Sequence, residues 1–153
     1  MSTADTVVGE AGALAKSCHP SCVACGDPKH GGLGLRFTWY ADDTVVACFP
    51  CGPEYEGYPN QLHGGIIAML LDAAMMHWLF AHDIVGVTTR IGIQFRHPVV
   101  VDTQADVRAS LLYKSPSYYV LRAEIMQSGT IRAVAEGVFT DKVPSGVEGG
   151  GSK

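Results

Sequence analysis

The stretch Gln61–Trp78, "QLHGGIIAMLLDAAMMHW", decides how the rest of the chain is read. Beyond Gly65, neither proline nor glycine occurs until past Ala81, and most of the residues are good helix formers. A single helix is therefore expected, about 18 residues long and roughly 27 Å in length. It is apolar nearly all round, the mark of a helix buried on every side. Two features interrupt that simplicity. The run opens on His63-Gly64-Gly65, and it carries one carboxylate, Asp72, in its middle. A buried carboxylate is costly unless it is paired or used.

The pattern on either side of this helix has period two. "LGLRFTWY" (33–40) reads as a strand, "ADD" (41–43) as a turn, and "TVVACF" (44–49) as the returning strand. Residues 50–62 carry several proline and glycine breaks and read as a loop. After the helix, Ile91, Ile93 and Phe95 alternate with Arg90, Gln94 and Arg96. Residues 106–113, 117–126 and 130–140 give three more strands, joined by short hairpin-like connectors. The expected fold class is α+β, an antiparallel sheet of about six strands wrapped around one long central helix. A sheet on one side leaves the other side of such a helix bare, which favours a dimer. One domain is expected over 21–142, with a flexible segment at 1–20, where no periodicity is visible, and a flexible Gly-rich tail at 143–153.

Composition narrows the function classes. The 11 basic and 15 acidic residues are well mixed and leave a net charge of −4, so no basic stripe marks a nucleic-acid partner. The apolar run is broken by Asp72 and His77, short of the ~20 residues that a membrane span needs. The N-terminus lacks a basic region followed by an apolar core, so a cytoplasmic setting is the expectation. Five cysteines without an export signal read as thiols or metal ligands rather than as a disulfide framework.

The chemistry suggested by His63-Gly64-Gly65 and Asp72 follows from helix physics. The first N–H groups of a helix have no internal partner and carry partial positive charge. Glycine there lets another group approach the backbone, so Gly64 N–H can hold a developing oxyanion. His63 is placed to cap the helix or fix the loop. Asp72 lies about 12 Å further along the axis, too far for both groups to reach one carbonyl. If they share a reaction they must come from different subunits, as two antiparallel copies of the helix would allow. Plainer readings exist: Asp72 paired with Arg90 or Arg96, the two glycines serving tight packing, and His77, His82 and His97 serving structure.

These residues, with the strand "GVTTRIGIQFRHPV" (86–99) and the upstream "CVACGDPKHGGLGLRF" (22–37) and "GPEYEGYP" (52–59), resemble the hotdog-fold acyl-CoA thioesterases of the PaaI-like, phenylacetate-pathway group, over roughly residues 22–141. The resemblance implies a hotdog fold, a homodimer or dimer of dimers, and hydrolysis of an acyl-CoA to acid and free thiol without a cofactor or metal. In that scheme Gly64 N–H polarises the carbonyl, and Asp72 of the partner subunit is general base or nucleophile. Thr88 helps to position water. Gly65, Glu56 and Asn60 are substrate contacts; Glu56, Asn60 and Gln61 are the residues nearest to an amide position of the family, and none falls cleanly on it. Coenzyme A brings phosphates, for which Arg90, Arg96 and Lys114 are the candidates. Met75, Met76, Trp78, Tyr118 and Tyr119 either line an acyl pocket or fill core, and the apolar surroundings favour a medium-chain or aryl acyl group.

Two other classes stand beside this one. The first is a non-catalytic acyl-CoA binding module on the same fold. The second is a zinc ribbon, suggested by Cys-x-x-Cys-Gly at both 22–26 and 48–52, which would use Cys22, Cys25, Cys48 and Cys51, with His19 and His30 as spare ligands. Cys48 falls inside an alternating strand run rather than a turn, so reduced, partly buried thiols are expected instead.

Overall fold

Alternation along the strands places one residue in two against the long helix and the other on the opposite face. In the computed structural model, which describes residues 5–142, the elements are β1 (Val7–Glu10), α1 (Ala13–Cys18), β2 (Thr38–Tyr40), β3 (Val45–Phe49), α2 (Gly64–Ala81), β4 (Val87–Phe95), β5 (Ala105–Lys114), β6 (Tyr119–Gln127) and β7 (Thr130–Thr140). The strands form one antiparallel sheet in the order β1-β2-β3-β5-β6-β7-β4. α2 packs across β3, β5, β6, β7 and β4. The class is α+β, and one long helix held against an antiparallel sheet in this way is the hotdog arrangement.

The helix lies close because the sheet is nearly smooth beneath it. One cross-strand row runs Val45, Ala109, Ala123, Ala135, Ile93, so three alanines occupy its centre. At Gly137 an added methyl group would meet Met75 Cε and Sδ at 3.0 Å, so that position has no room for a side chain. Eleven residues of α2 are buried, among them Leu70, Leu71, Met75, Trp78 and Leu79. By length and composition α2 would pass for a membrane span, but 61% of its residues are buried within this fold. Met75, Met76, Trp78 and Tyr119 are core residues, whereas Tyr118 is partly exposed. The acyl-pocket reading of that group therefore gives way to packing for the first four.

Three local features differ from the sequence reading. The described part of the segment 1–20 carries β1 and α1. β1 pairs with β2, Val7 opposite Tyr40 and Glu10 opposite Thr38, and makes a seventh, edge strand. Its order comes from backbone hydrogen bonds rather than from an apolar face, so it leaves no periodic trace in sequence. β2 is shorter than 33–40. Leu33 and Leu35 instead donate their N–H groups to Val23 and Ala24 of the preceding loop, at 2.8 and 3.2 Å. The tail expected at 143–153 lies outside the described residues.

The two ends of α2 are secured differently. At the C-terminal end, Trp78 Nε1 donates to Asp43 O at 2.9 Å, and His82 Nε2 lies 2.8 Å from Asp43 Oδ1. Asp43 adopts φ 65° in the β2–β3 turn, so the turn is moulded around the helix end. Elsewhere, Gln127 is buried and bonds Val100 N, Val100 O and Thr103 O, each at 2.8 Å. It pins the 98–103 loop, from which Val99 O accepts the Leu62 N–H just before α2.

His77, 3% exposed, bonds Ala73 O through Nδ1 at 2.8 Å and stacks on Phe37. Burial lowers its pKa from the usual 6.5 to about 4. The unfolded chain therefore takes up a proton below pH 6.5 that the folded chain refuses until about pH 4. Stability is lost as pH falls through that window, by roughly 3 kcal/mol in all. Urea unfolding at pH 7 and pH 4.5 should show a wild-type loss about 2–3 kcal/mol greater than that of His77→Gln. Equal losses in the two proteins would remove this account of His77.

Candidate active site

His63 has extended backbone and caps α2: its Nδ1 accepts the Gly65 N–H at 2.8 Å, and its carbonyl accepts from Ile66 and Ile67. A side chain at N-cap satisfies one of the unpaired N–H groups of the first turn. The Gly64 N–H is left, and it finds no acceptor among the described residues. The two glycines are not equivalent. A methyl group at Gly65 would lie 3.1 Å from His63 Nδ1 and crowd the cap. At Gly64 the nearest atom would be Phe95 Cε1 at 3.7 Å, an ordinary contact. Packing within the chain explains Gly65 but does not require Gly64.

Gly64 borders a recess of about 420 Å³ together with Gly57, Tyr58, Gln61, Leu62 and His63. The loop that forms it folds on itself, Gly57 N–H to Gln61 O at 2.9 Å and His63 N–H to Tyr55 O at 2.9 Å. Glu56 is occupied in that loop, where its Oε2 accepts the Asn60 N–H at 3.0 Å. Asn60 holds φ 65°. Of the amide and acid candidates in this segment, the one bordering the recess is Gln61. Sequence spacing does not single it out, because the turn around Asn60 decides which side chain faces the helix end.

Asp72 is half-buried in the middle of α2, and Thr88 at the start of β4 donates its hydroxyl to Asp72 Oδ1 at 2.7 Å. Neither Arg90 nor Arg96 pairs with it among the described residues. The ion-pair reading is replaced by a neutral donor that holds the carboxylate and leaves its charge uncompensated. Within one chain Asp72 is not part of the recess at Gly64.

The expected phosphate contacts are dispersed. Arg96, with Arg122, Gln94 and Glu136, borders a groove of about 300 Å³ on the face of the sheet away from α2. Arg90 is exposed on β4, and Lys114 stands 5.6 Å over the Tyr119 ring at the β5–β6 hairpin. β4 is the edge of the sheet, and Ile91 and Phe95 on it are exposed.

Three of the five cysteines have raised thiols. Burial, with the neighbouring Cys22, pushes the Cys25 thiol up to about 12, and burial with Cys48 beside it pushes Cys51 up to about 11. Burial and Asp106 raise Cys48 as well. The four-cysteine ribbon is not assembled: among the described residues the ligand atoms that gather are those of His19, Cys22 and Cys25, without Cys48, Cys51 or His30.

The fold and this arrangement define a hotdog protein with a capped, open helix end and a carboxylate on the same helix. Residues 60–134 match the family model described as the thioesterase superfamily. Among solved structures, a thioesterase superfamily protein aligns with TM-score 0.69 and 19% identity, over 72% of this chain and 55% of its own length. This chain thus spans about half of that relative. A mutant of the phenylacetic acid degradation protein PaaI from Thermus thermophilus aligns with TM-score 0.66 and 20% identity, covering 74% of this chain and 98% of that one. A hypothetical thioesterase from Streptococcus pneumoniae, solved with coenzyme A, gives TM-score 0.61 and 17% identity over 63% of this chain and 79% of that one. The matched segment, residues 60–134, holds both Gly64 and Asp72.

The cap and the open N–H separate in a stability assay. His63→Ala should lower the unfolding free energy by about 1 kcal/mol, the usual worth of an N-cap. Gly64→Ala should leave it unchanged or slightly raised, because the added methyl has room. A large destabilisation by Gly64→Ala in urea unfolding would return Gly64 to a packing role.

Proposed function

We propose that this chain is an acyl-CoA thioesterase of the PaaI-like group, acting as a homodimer whose two sites each draw on both subunits. The observation that carries the reading is the pair of open groups on α2: the unpartnered Gly64 N–H at its start, and the Asp72 carboxylate held by Thr88 in its middle. The reaction is R–CO–S–CoA plus water to R–COOH plus HS–CoA. Asp72 of the partner subunit takes a proton from water as the water attacks the carbonyl. Gly64 N–H meets the oxyanion, aided by the positive end of α2. Collapse of the tetrahedral species breaks the C–S bond, and the departing thiolate recovers the proton.

Geometry supports the shared site. β4 runs from Thr88, beside Asp72, to Phe95, beside Gly64. Its outer edge is unpaired among the described residues and its apolar Ile91 and Phe95 are exposed, a combination that invites pairing with another strand. Antiparallel pairing of two β4 strands about a two-fold axis sets the Phe95 end of one against the Thr88 end of the other. Gly64 of one chain then approaches Asp72 of the partner subunit. The coenzyme A in the Streptococcus pneumoniae structure supports the substrate class. Arg90, Arg96 and Lys114 remain the candidates for its phosphates.

Thiol release from aryl, short, medium and long acyl-CoAs tests the activity, with the protein's own thiols subtracted. Asp72→Asn should lower kcat by about 100-fold or more, the ordinary contribution of a general base. Thr88→Val should lower it by about 10-fold, the worth of one hydrogen bond to a charged group. Asp72→Asn and Gly64→Val, each inactive alone, should regain part of the activity when unfolded together and refolded. Full turnover by Asp72→Asn would sink the catalytic assignment, and a refolded mixture as inactive as its parts would sink the shared site.

A further inference from the structure

We propose that His19, Cys22 and Cys25 form a zinc-binding site that clips the end of α1 to the loop at 22–26. The ligand atoms of the three residues all lie within 4.8 Å of one another. A tetrahedral ion with Zn–S of about 2.3 Å and Zn–N of about 2.0 Å needs ligand separations of roughly 3.5–3.8 Å. Rotation of the side chains by an ångström or less at their tips closes that gap. Two thiolates and a neutral imidazole balance the ion's charge, and their softness selects zinc over the hard cations of oxygen sites. Binding releases the two thiol protons to solvent.

The backbone is already arranged as such a loop requires. Ala24 N–H points at Cys22 Sγ at 3.4 Å, which fixes where that sulfur sits. Gly26 N–H bonds Cys22 O at 2.7 Å, and a methyl group at Gly26 would lie 2.3 Å from that oxygen, so only glycine closes the turn. Arg36 Nη1 holds Cys25 O at 2.9 Å. His19 is fixed separately: it ends α1, donates its N–H to Ala15 O at 2.7 Å, and sets its ring edge-on to Phe80 at 5.0 Å. Two elements with independent supports thus bring three soft donors to one point.

A three-residue set leaves one position of a tetrahedral ion free. His19 and Cys25 border a cavity of about 240 Å³ with His77 and Arg36, which has room for a water as the fourth ligand. His77 bonds Ala73 O, an acceptor only, so its Nδ1 is the protonated nitrogen and Nε2 is bare. That bare nitrogen on a ring bordering the cavity is available as acceptor for such a water. The assignment differs from both readings of the cysteines in sequence. It takes one Cys-x-x-Cys pair with an upstream histidine, and it leaves Cys48 and Cys51 out.

The full-length chain, stripped by chelator under reducing conditions and freed of both reagents, is titrated with Zn²⁺ and with Co²⁺. Saturation at one ion per chain is expected, with the thiolate-to-cobalt charge-transfer band and the strong visible bands of a four-coordinate ion. Zn²⁺ should also raise the melting temperature of the stripped protein. His19→Gln and Cys22→Ser, at partly exposed positions, should each weaken binding by more than about an order of magnitude and remove the melting shift, while Cys48→Ser changes neither. Absence of saturable uptake overturns the proposal. So does uptake that survives both His19→Gln and Cys22→Ser, or that Cys48→Ser abolishes. None of these readouts depends on thioester hydrolysis, so the site and the proposed activity stand or fall separately.

Discussion

The close approach of α2 to the sheet is the constraint on which the rest depends. Met75 reaches Gly137, and a row of alanines on β5, β6 and β7 keeps the surface beneath the helix low. Burying the helix on the sheet removes several hundred square ångströms of apolar surface, at roughly 25 cal/mol per Å², which no surface interaction in the chain rivals. That contact also fixes the helix in rotation. Once Met75 and Leu79 face inward, Asp72 is set on the flank toward β4, where Thr88 meets it. A larger side chain at Gly137 would lift the helix and separate that pair together with the core.

α2 itself, its start at Gly64 and the strands after it were legible in the sequence, because each rests on a strong local pattern. An 18-residue apolar run without helix breakers has few alternatives, and strict alternation in Ile91, Ile93 and Phe95 has none but a strand. β1 and the short β2 were not legible. Both take their form from backbone partners elsewhere: Tyr40 and Thr38 for β1, and the 22–26 loop for residues 33–35. Such pairing is decided by tertiary placement and leaves the local pattern silent.

The candidate site divides along the same line. His63 as cap is one of the two readings its position allowed, whereas the Thr88–Asp72 hydrogen bond was not foreseen, the resemblance giving Thr88 only as a residue that positions water. Gln61 at the recess, and the occupation of Glu56 by the Asn60 N–H, depend on one residue in a left-handed conformation. No spacing rule carries that information. The cysteines show the opposite failure: a pattern that repeats well in sequence, Cys-x-x-Cys-Gly twice, is split by the sheet. Cys48 lies in β3 opposite Asp106, whereas Cys22 and Cys25 are on a loop held against residues 33–35.

The helix is consequently anchored at one end and open at the other. Toward its C-terminal end, Trp78, His82 and Asp43 form a bonded cluster, and Phe80 meets His19 from the α1 side. At its N-terminal end the described residues supply a cap for Gly65 and no acceptor for Gly64. An amide offered to a reacting carbonyl is useful only if its position is held to a fraction of an ångström, since a misplacement of about 1 Å can cost a factor of about 100 in rate. That precision cannot come from contacts at the open end without blocking it. It comes from the sheet under Met75 and from the fixed end beyond it, carried along a rigid helix to the Gly64 N–H, which has no acceptor among the described residues.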